Sequence, residues 1–177
     1  IRVEGEGKER CISVRAPRAK AVSHDADLQA LLTLATADMR FGSLPITLMD
    51  NGPLWWCIEL ADEAAVRELK PALVEIATLT LASHAVGLAV FAASTSPEYQ
   101  LVVRAFCPAD NIPEDPVTGS VNASIAALLH WHGALGVIGN PYTASQGREV
   151  GRNGFVQVRV DAEEEVWIGG KTQTVIQ

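Results

Sequence analysis

Between residues 119 and 132 the chain reads GSVNASIAALLHWH, and apolar side chains occupy most positions. Val121, Ile125, Leu128 and Leu129 fall at i, i+4, i+7 and i+8, and Ala123, Ala126 and Ala127 fill most of the other sides. A helix that is apolar nearly all round has to be enclosed by protein. The flanking segments carry the period of strands: VGLAVFAAS and YQLVVRAFC before it, and PYTASQG, FVQVRVDA, EVWIGG and KTQTVIQ after it. In FVQVRVDA, Val156, Val158 and Val160 share one face by strict alternation. Strands wrapped about one greasy helix would bury it, with Gly133 as its left-handed stop.

The earlier part of the chain adds a hairpin and surface helices. Residues 2–4 and 10–14 alternate around the turn GEG and predict a hairpin. Asp25 is placed to cap a helix through DLQALLTLA, with Leu28, Leu31 and Leu32 on one face. Asp50-Asn51-Gly52-Pro53 separates two strand-like runs in GSLPITLMDNGPLWWCIEL. The segment from Ala61 to Ala85 has helical period and an acidic start, and Pro71 divides it into two helices. The fold class is therefore α+β. Two strands alone are marginal, so the opening hairpin reads as the tail of something longer. The expected organisation is residues 1–19 as the residue of a preceding lobe and 20–177 as the main lobe.

Charge removes several classes of partner. Among 177 residues, 14 are basic and 21 acidic, with no basic run, which argues against nucleic acid. No apolar segment reaches the ~18 residues of a membrane span, and no signal peptide is recognisable, so no membrane partner and a cytoplasmic location are expected. Cys11, Cys57 and Cys107 are odd in number and far apart, which suits reduced, mostly buried thiols and neither a disulfide framework nor a metal knuckle. No metal or cofactor is called for.

The chemistry concentrates at the entrance to the apolar helix, in EDPVTGS. Pro116 holds Asp115 extended, Thr118 is placed to cap, Gly119 lets a bound group approach the backbone, and Ser120 adds a hydroxyl. Unpaired amides and a partial positive charge at such a start receive a carboxylate or another anion. Plain capping by Asp115 and Thr118 fits the same residues.

Other constellations carry less. Ser120 and His130 are ~15 Å apart along a helix, too far for a hydrolase pair, and His130 and His132 point to nearly opposite sides, suiting dipole partners or surface residues. The lysine of a phosphate-binding loop is missing, and GxGxxG does not occur. Of Trp55 and Trp56, adjacent in a strand, one is expected in the core and the other at an interface or cleft. Gln146-Gly147-Arg148 reads equally as a cleft-side step and as a turn with a surface arginine, and Glu163 to Glu165 as a solvated turn.

The runs EDPVTGSVNASIAALL, YTASQGREVGRNGFVQVRV and VWIGGKTQTVIQ resemble the C-terminal half of the phenazine-biosynthesis-like isomerases, relatives of diaminopimelate epimerase, and the segment around MDNGPLWWCIELADEAAVRELKPALVEIATL more loosely resembles their middle. The resemblance implies a mixed, mostly antiparallel sheet curled around a central helix in each of two lobes, with the active site between two helix N-termini. It implies cofactor-free acid/base transfer of a proton on a small carboxylate-bearing substrate. Asp115 becomes the catalytic and substrate-binding carboxylate, and Thr118, Gly119 and Ser120 become substrate-binding residues. The family's glutamate acid/base and Gly-His step have no counterpart in this sequence. The expectation is half a site, inactive alone, in a homo-oligomer, most simply a dimer. A non-catalytic anion-binding or oligomerisation module is the alternative. A two-thiol epimerase or racemase, with Cys107 as a reactive thiol, is a second.

Overall fold

A computed structural model describes residues 1–171. The strands are β1 (Arg2–Glu4), β2 (Cys11–Arg15), β3 (Lys20–Val22), β4 (Thr47–Asp50), β5 (Leu54–Glu59), β6 (Gly87–Ala93), β7 (Leu101–Cys107), β8 (Ile112–Asp115), β9 (Tyr142–Gln146), β10 (Gly154–Val160) and β11 (Val166–Lys171). The helices are α1 (Leu28–Ala35), α2 (Glu63–Arg67), α3 (Leu73–Ser83), α4 (Gly119–Trp131) and α5 (Leu135–Ile138). All strands belong to one sheet of order β1-β2-β11-β10-β9-β7-β6-β5-β4-β3, and β8 pairs with β7 off this path. Among the described residues only β5 with β6 and β7 with β9 run parallel. The sheet is mixed and mostly antiparallel, as expected.

The period of two sorts the side chains into two cores. Met49, Trp55, Cys57, Ala89, Phe91, Val103 and Ala105 point to one face and pack with Val121, Ile125 and Leu128 of α4. Their neighbours Leu48, Trp56, Ile58, Leu88, Val90 and Phe106 point to the other face and pack with Leu32 of α1, Val66 of α2 and Ile76 and Leu79 of α3. The central strands are thus buried on both faces, which is why β7 reads as a nearly unbroken apolar run. Every residue of α4 from Val121 to Leu129 is buried. Val156, Val158 and Val160 close over it from β10. Gly133, at φ 69°, ends this part of the chain in the left-handed region.

The opening hairpin is part of this sheet. β1 pairs with β2, and β2 pairs with β11 from Cys11 opposite Lys171 to Arg15 opposite Trp167. Ala16 joins the core around α4, with Ala19 packed against it. The segment between β2 and β3 therefore carries the chain from one end of the sheet to the other across the α4 side. Of residues 1–19, expected to be left over from another lobe, β2 joins the sheet beside β11, and Ala16 and Ala19 pack in the core around α4.

Several local expectations differ from the structure. Asp25 does not cap α1 through its side chain; its backbone carbonyl accepts from the Leu28 amide at 3.1 Å, and Asp27, at the cap position, makes no side-chain cap bond either. Trp55 and Trp56 are both core, 2% and 0% exposed, because each sheet face has its own layer to bury it. Most of the strand expected in KTQTVIQ lies outside the described residues; β11 ends at Lys171. No helix among the described residues is long and apolar enough to cross a membrane.

Candidate functional site

The acidic turn before α4 is fixed from the outer face of the sheet. Arg104 of β7 is 5% exposed and meets Glu114 of β8 with two bonds, Nε to Oε1 at 3.0 Å and Nη2 to Oε2 at 2.8 Å. Its Nη1 donates to the carbonyls of Val66 and Leu69 at 3.0 and 2.8 Å. β8 is thus held to α2, and the next residue, Asp115, sits opposite Ala105.

Behind the turn lies Gln146, at the end of β9 and fully buried. Its Oε1 accepts from the Thr118 amide at 3.1 Å and from Asn122 Nδ2 at 2.9 Å. Its Nε2 donates to the Asp115 carbonyl and to Thr118 Oγ1, both at 3.0 Å. Thr118 Oγ1, having accepted that bond, donates to Asp115 Oδ2 at 2.6 Å. Thr118 occupies the cap position of α4 without capping by its side chain. Its amide and hydroxyl are both engaged by protein groups, so it stands behind the turn, 7% exposed. Gly147 follows at φ 91°, where a Cβ would run into the Pro116 carbonyl and push the two turns apart. The Gln146-Gly147 step, ambiguous in the sequence, is therefore buttressing for EDPVTGS. Arg148 points elsewhere, to Tyr99 Oη and Asn153.

In front of the helix start lies a hollow of about 300 Å³. Gly119 and Ser120 border it, with Asn51 and Pro53 of the β4–β5 turn, the stretch from Val14 to Pro17, and Ile168 of β11. The first intrahelical bond of this turn is from the Asn122 amide to the Thr118 carbonyl, which leaves the amides of Gly119, Ser120 and Val121 without an intrahelical acceptor. A Cβ on Gly119 would meet nothing within 4 Å, so the glycine opens directly onto space. Arg15, exposed at the rim, makes no ion pair among the described residues. Asn51, 3% exposed, donates from Nδ2 to the Ser120 carbonyl at 2.8 Å, and its Oδ1 has no partner among the described residues. Trp55 Nε1 donates to Ser120 Oγ at 3.1 Å.

The four residues singled out in the sequence thus divide into two pairs. Gly119 and Ser120 border the hollow, whereas Asp115 and Thr118 are joined to each other and lie outside its lining. The sequence does not single out Asn51 or Arg15, whereas it places one of Trp55 and Trp56 at an interface or cleft and leaves the Gln146-Gly147 step open between cleft and turn. The meeting of Asn51 and Trp55 with Ser120 could not be read, because pairing across 69 and 65 residues leaves no local pattern.

Cys107 does not suit a thiol acid/base. It is 4% exposed, and burial, followed by the nearby charges of Asp115 and Asp110, pushes its thiol up to about 12. Cys57 is fully buried, and burial pushes it up to about 12 as well. His130 Nε2 lies 3.5 Å from Glu164, at the far end of α4 from Ser120. No three His, Cys, Asp or Glu side chains among the described residues group as metal ligands would.

A family model described as phenazine biosynthesis-like protein matches residues 1–177. An uncharacterized isomerase of Deinococcus radiodurans is 34% identical over 135 residues, covering 72% of this chain and 42% of that protein. One from Clostridium acetobutylicum is 36% identical over 141 residues, covering 75% and 46%. The chain thus spans less than half the length of these relatives. In fold, it resembles a phenazine biosynthesis protein of Bacillus anthracis with TM-score 0.68 at 19% identity, covering 96% of this chain and 60% of that one. A predicted epimerase from Pseudomonas aeruginosa gives TM-score 0.68 at 18% identity, covering 99% and 62%.

Proposed function

Because the chain belongs to the phenazine biosynthesis-like family, we propose that it forms one part of a cofactor-independent isomerase that moves a proton on a small carboxylate-bearing substrate. The observation that carries this reading is the opening of the α4 start, through Gly119, onto a hollow of about 300 Å³. That volume is at the small end of ligand sites and suits a compact organic acid. The amides of Gly119 and Ser120, the Ser120 hydroxyl and the Arg15 guanidinium receive the carboxylate. Donors fixed before the substrate arrives stabilise the charge that grows when a proton leaves a carbon next to that group.

Asp115 lies outside the lining of the hollow, so in this reading it handles the proton on a substrate whose reacting carbon extends beyond the hollow toward the EDPVTGS turn. Its Oδ2 is held by Thr118, so Oδ1 is the oxygen left to exchange a proton. A second acid or base faces the hollow from another lobe or another copy of the chain. The 177-residue chain by itself therefore binds acids without turning them over.

Binding is tested by titrating the 15N-labelled chain with succinate and following backbone amides. Shifts should cluster at Gly119, Ser120 and Val121. Gly119→Val should abolish them while stability stays within about 0.5 kcal/mol, since the new side chain projects into open space. Succinate shifts confined to other surfaces, or undiminished in the variant, would count against the site. Full proton-transfer activity of the isolated chain would overturn the half-site reading.

A further inference from the structure

We infer that Trp55 and Asn51 are positioning residues that turn the Ser120 hydroxyl proton toward the hollow, so that the hollow favours an ionised carboxylate over its neutral amide. The inference deepens the binding role proposed above and rests on it. An indole N–H can only donate, whereas a hydroxyl has one proton and two acceptor sites. With Trp55 Nε1 3.1 Å from Ser120 Oγ, the oxygen is the acceptor in that pair and its proton must go elsewhere. Among the described residues Ser120 Oγ donates to no protein group, and Ser120 borders the hollow. Its proton is therefore left for a ligand, and with one of its two acceptor sites taken by Trp55 the hydroxyl meets a ligand acceptor more readily than a ligand N–H.

Asn51 fixes the backbone of the same residue. Its Nδ2 donates to the Ser120 carbonyl at 2.8 Å, while its buried Oδ1 goes without a partner among the described residues. A buried orphan acceptor is unfavourable, and the side-chain amide keeps this orientation because the reverse would set two oxygens against each other. Both residues come from the β4–β5 hairpin: Asn51 lies in its turn and Trp55 is the second residue of β5. One hairpin thus grips Ser120 at its side chain and at its carbonyl. The two grips hold its amide and its hydroxyl proton toward one volume.

The test compares benzoate with benzamide, a neutral isostere, on the full chain by the same amide titration. Wild type should bind benzoate in preference to benzamide. Trp55→Phe should weaken benzoate and narrow the benzoate-to-benzamide ratio by about three- to tenfold, the worth of one hydrogen bond. In a Ser120→Ala background, Trp55→Phe should leave the ratio unchanged. Benzoate bound at Gly119 and Ser120 with a ratio indifferent to Trp55→Phe overturns this inference and leaves the binding site standing. Failure of wild type to bind either probe there removes the binding site and the inference together. If Trp55→Phe does not fold, the Trp55 indole N–H resonance decides: it should move when benzoate binds and when Ser120 becomes Ala, and a resonance that ignores both changes refutes the coupling.

Discussion

Replacing Gln146 with leucine should destabilise the protein by about 2 kcal/mol without any change at its surface. Gln146 is fully buried and makes four hydrogen bonds, two through each end of its amide. Leucine nearly fills the same volume, so little cavity forms. Two of the partners keep another bond: Asn122 Nδ2 still donates to the Thr118 carbonyl, and the Thr118 hydroxyl still donates to Asp115. The Thr118 amide and the Asp115 carbonyl lose their bond to Gln146. At about 1–3 kcal/mol for each such group the cost is roughly 4 kcal/mol, and the apolar side chain offsets about 2 kcal/mol of it. Urea denaturation should show the net loss as a lower midpoint at unchanged slope. In a thermal scan the same loss lowers the melting temperature by about 4–8 °C. Exchange of the Thr118 amide proton should quicken along with it. A loss under about 0.5 kcal/mol would mean that the Gln146-Gly147 step is the plain turn that its sequence equally allowed, and would remove the support assigned to Asp115.

Glu114→Ala should cost about 3 kcal/mol by the same assay, because it leaves the Arg104 guanidinium, 6% exposed, with only two carbonyls to face; a change within error would show that β8 does not depend on this pair. Glu63 lies in a partly buried cluster, where desolvation would raise its pKa but hydrogen bonds from Ser94, Tyr99 and Arg67 outweigh it and hold the carboxyl below its ordinary value of 4.5. A depressed carboxyl favours the folded state above the unfolded pKa and loses that contribution as pH falls through the folded one. Wild type should therefore lose stability below about pH 4.5 more steeply than Glu63→Gln, and parallel pH curves for the two proteins would refute the assignment. In native protein at pH 8 a thiol reagent should modify Cys11, which is partly exposed, far faster than Cys57 or Cys107; prompt labelling of Cys107 would revive a thiol acid/base at this site.

The sequence by itself determined most of the elements and which of their faces are buried. Period two in FVQVRVDA and the all-round apolar run of 119–132 report which faces must leave water, and that demand is local, so strands and an enclosed helix could be read directly. The EDPVTGS stretch also announced a helix start suited to an anion, since proline, glycine and hydroxyl residues act within one turn. What the sequence could not settle was which of those residues face a ligand. Thr118 reads as a cap or a donor, yet the structure turns it inward, because Gln146 arrives from a strand 28 residues later and occupies both its amide and its hydroxyl. Trp55 and Asn51 meet Ser120 only after the sheet has curled around α4. Hydrophobic period fixes the direction a side chain takes relative to its own backbone. Which polar groups then meet is decided by strand order, and strand order is set by packing across the whole sheet.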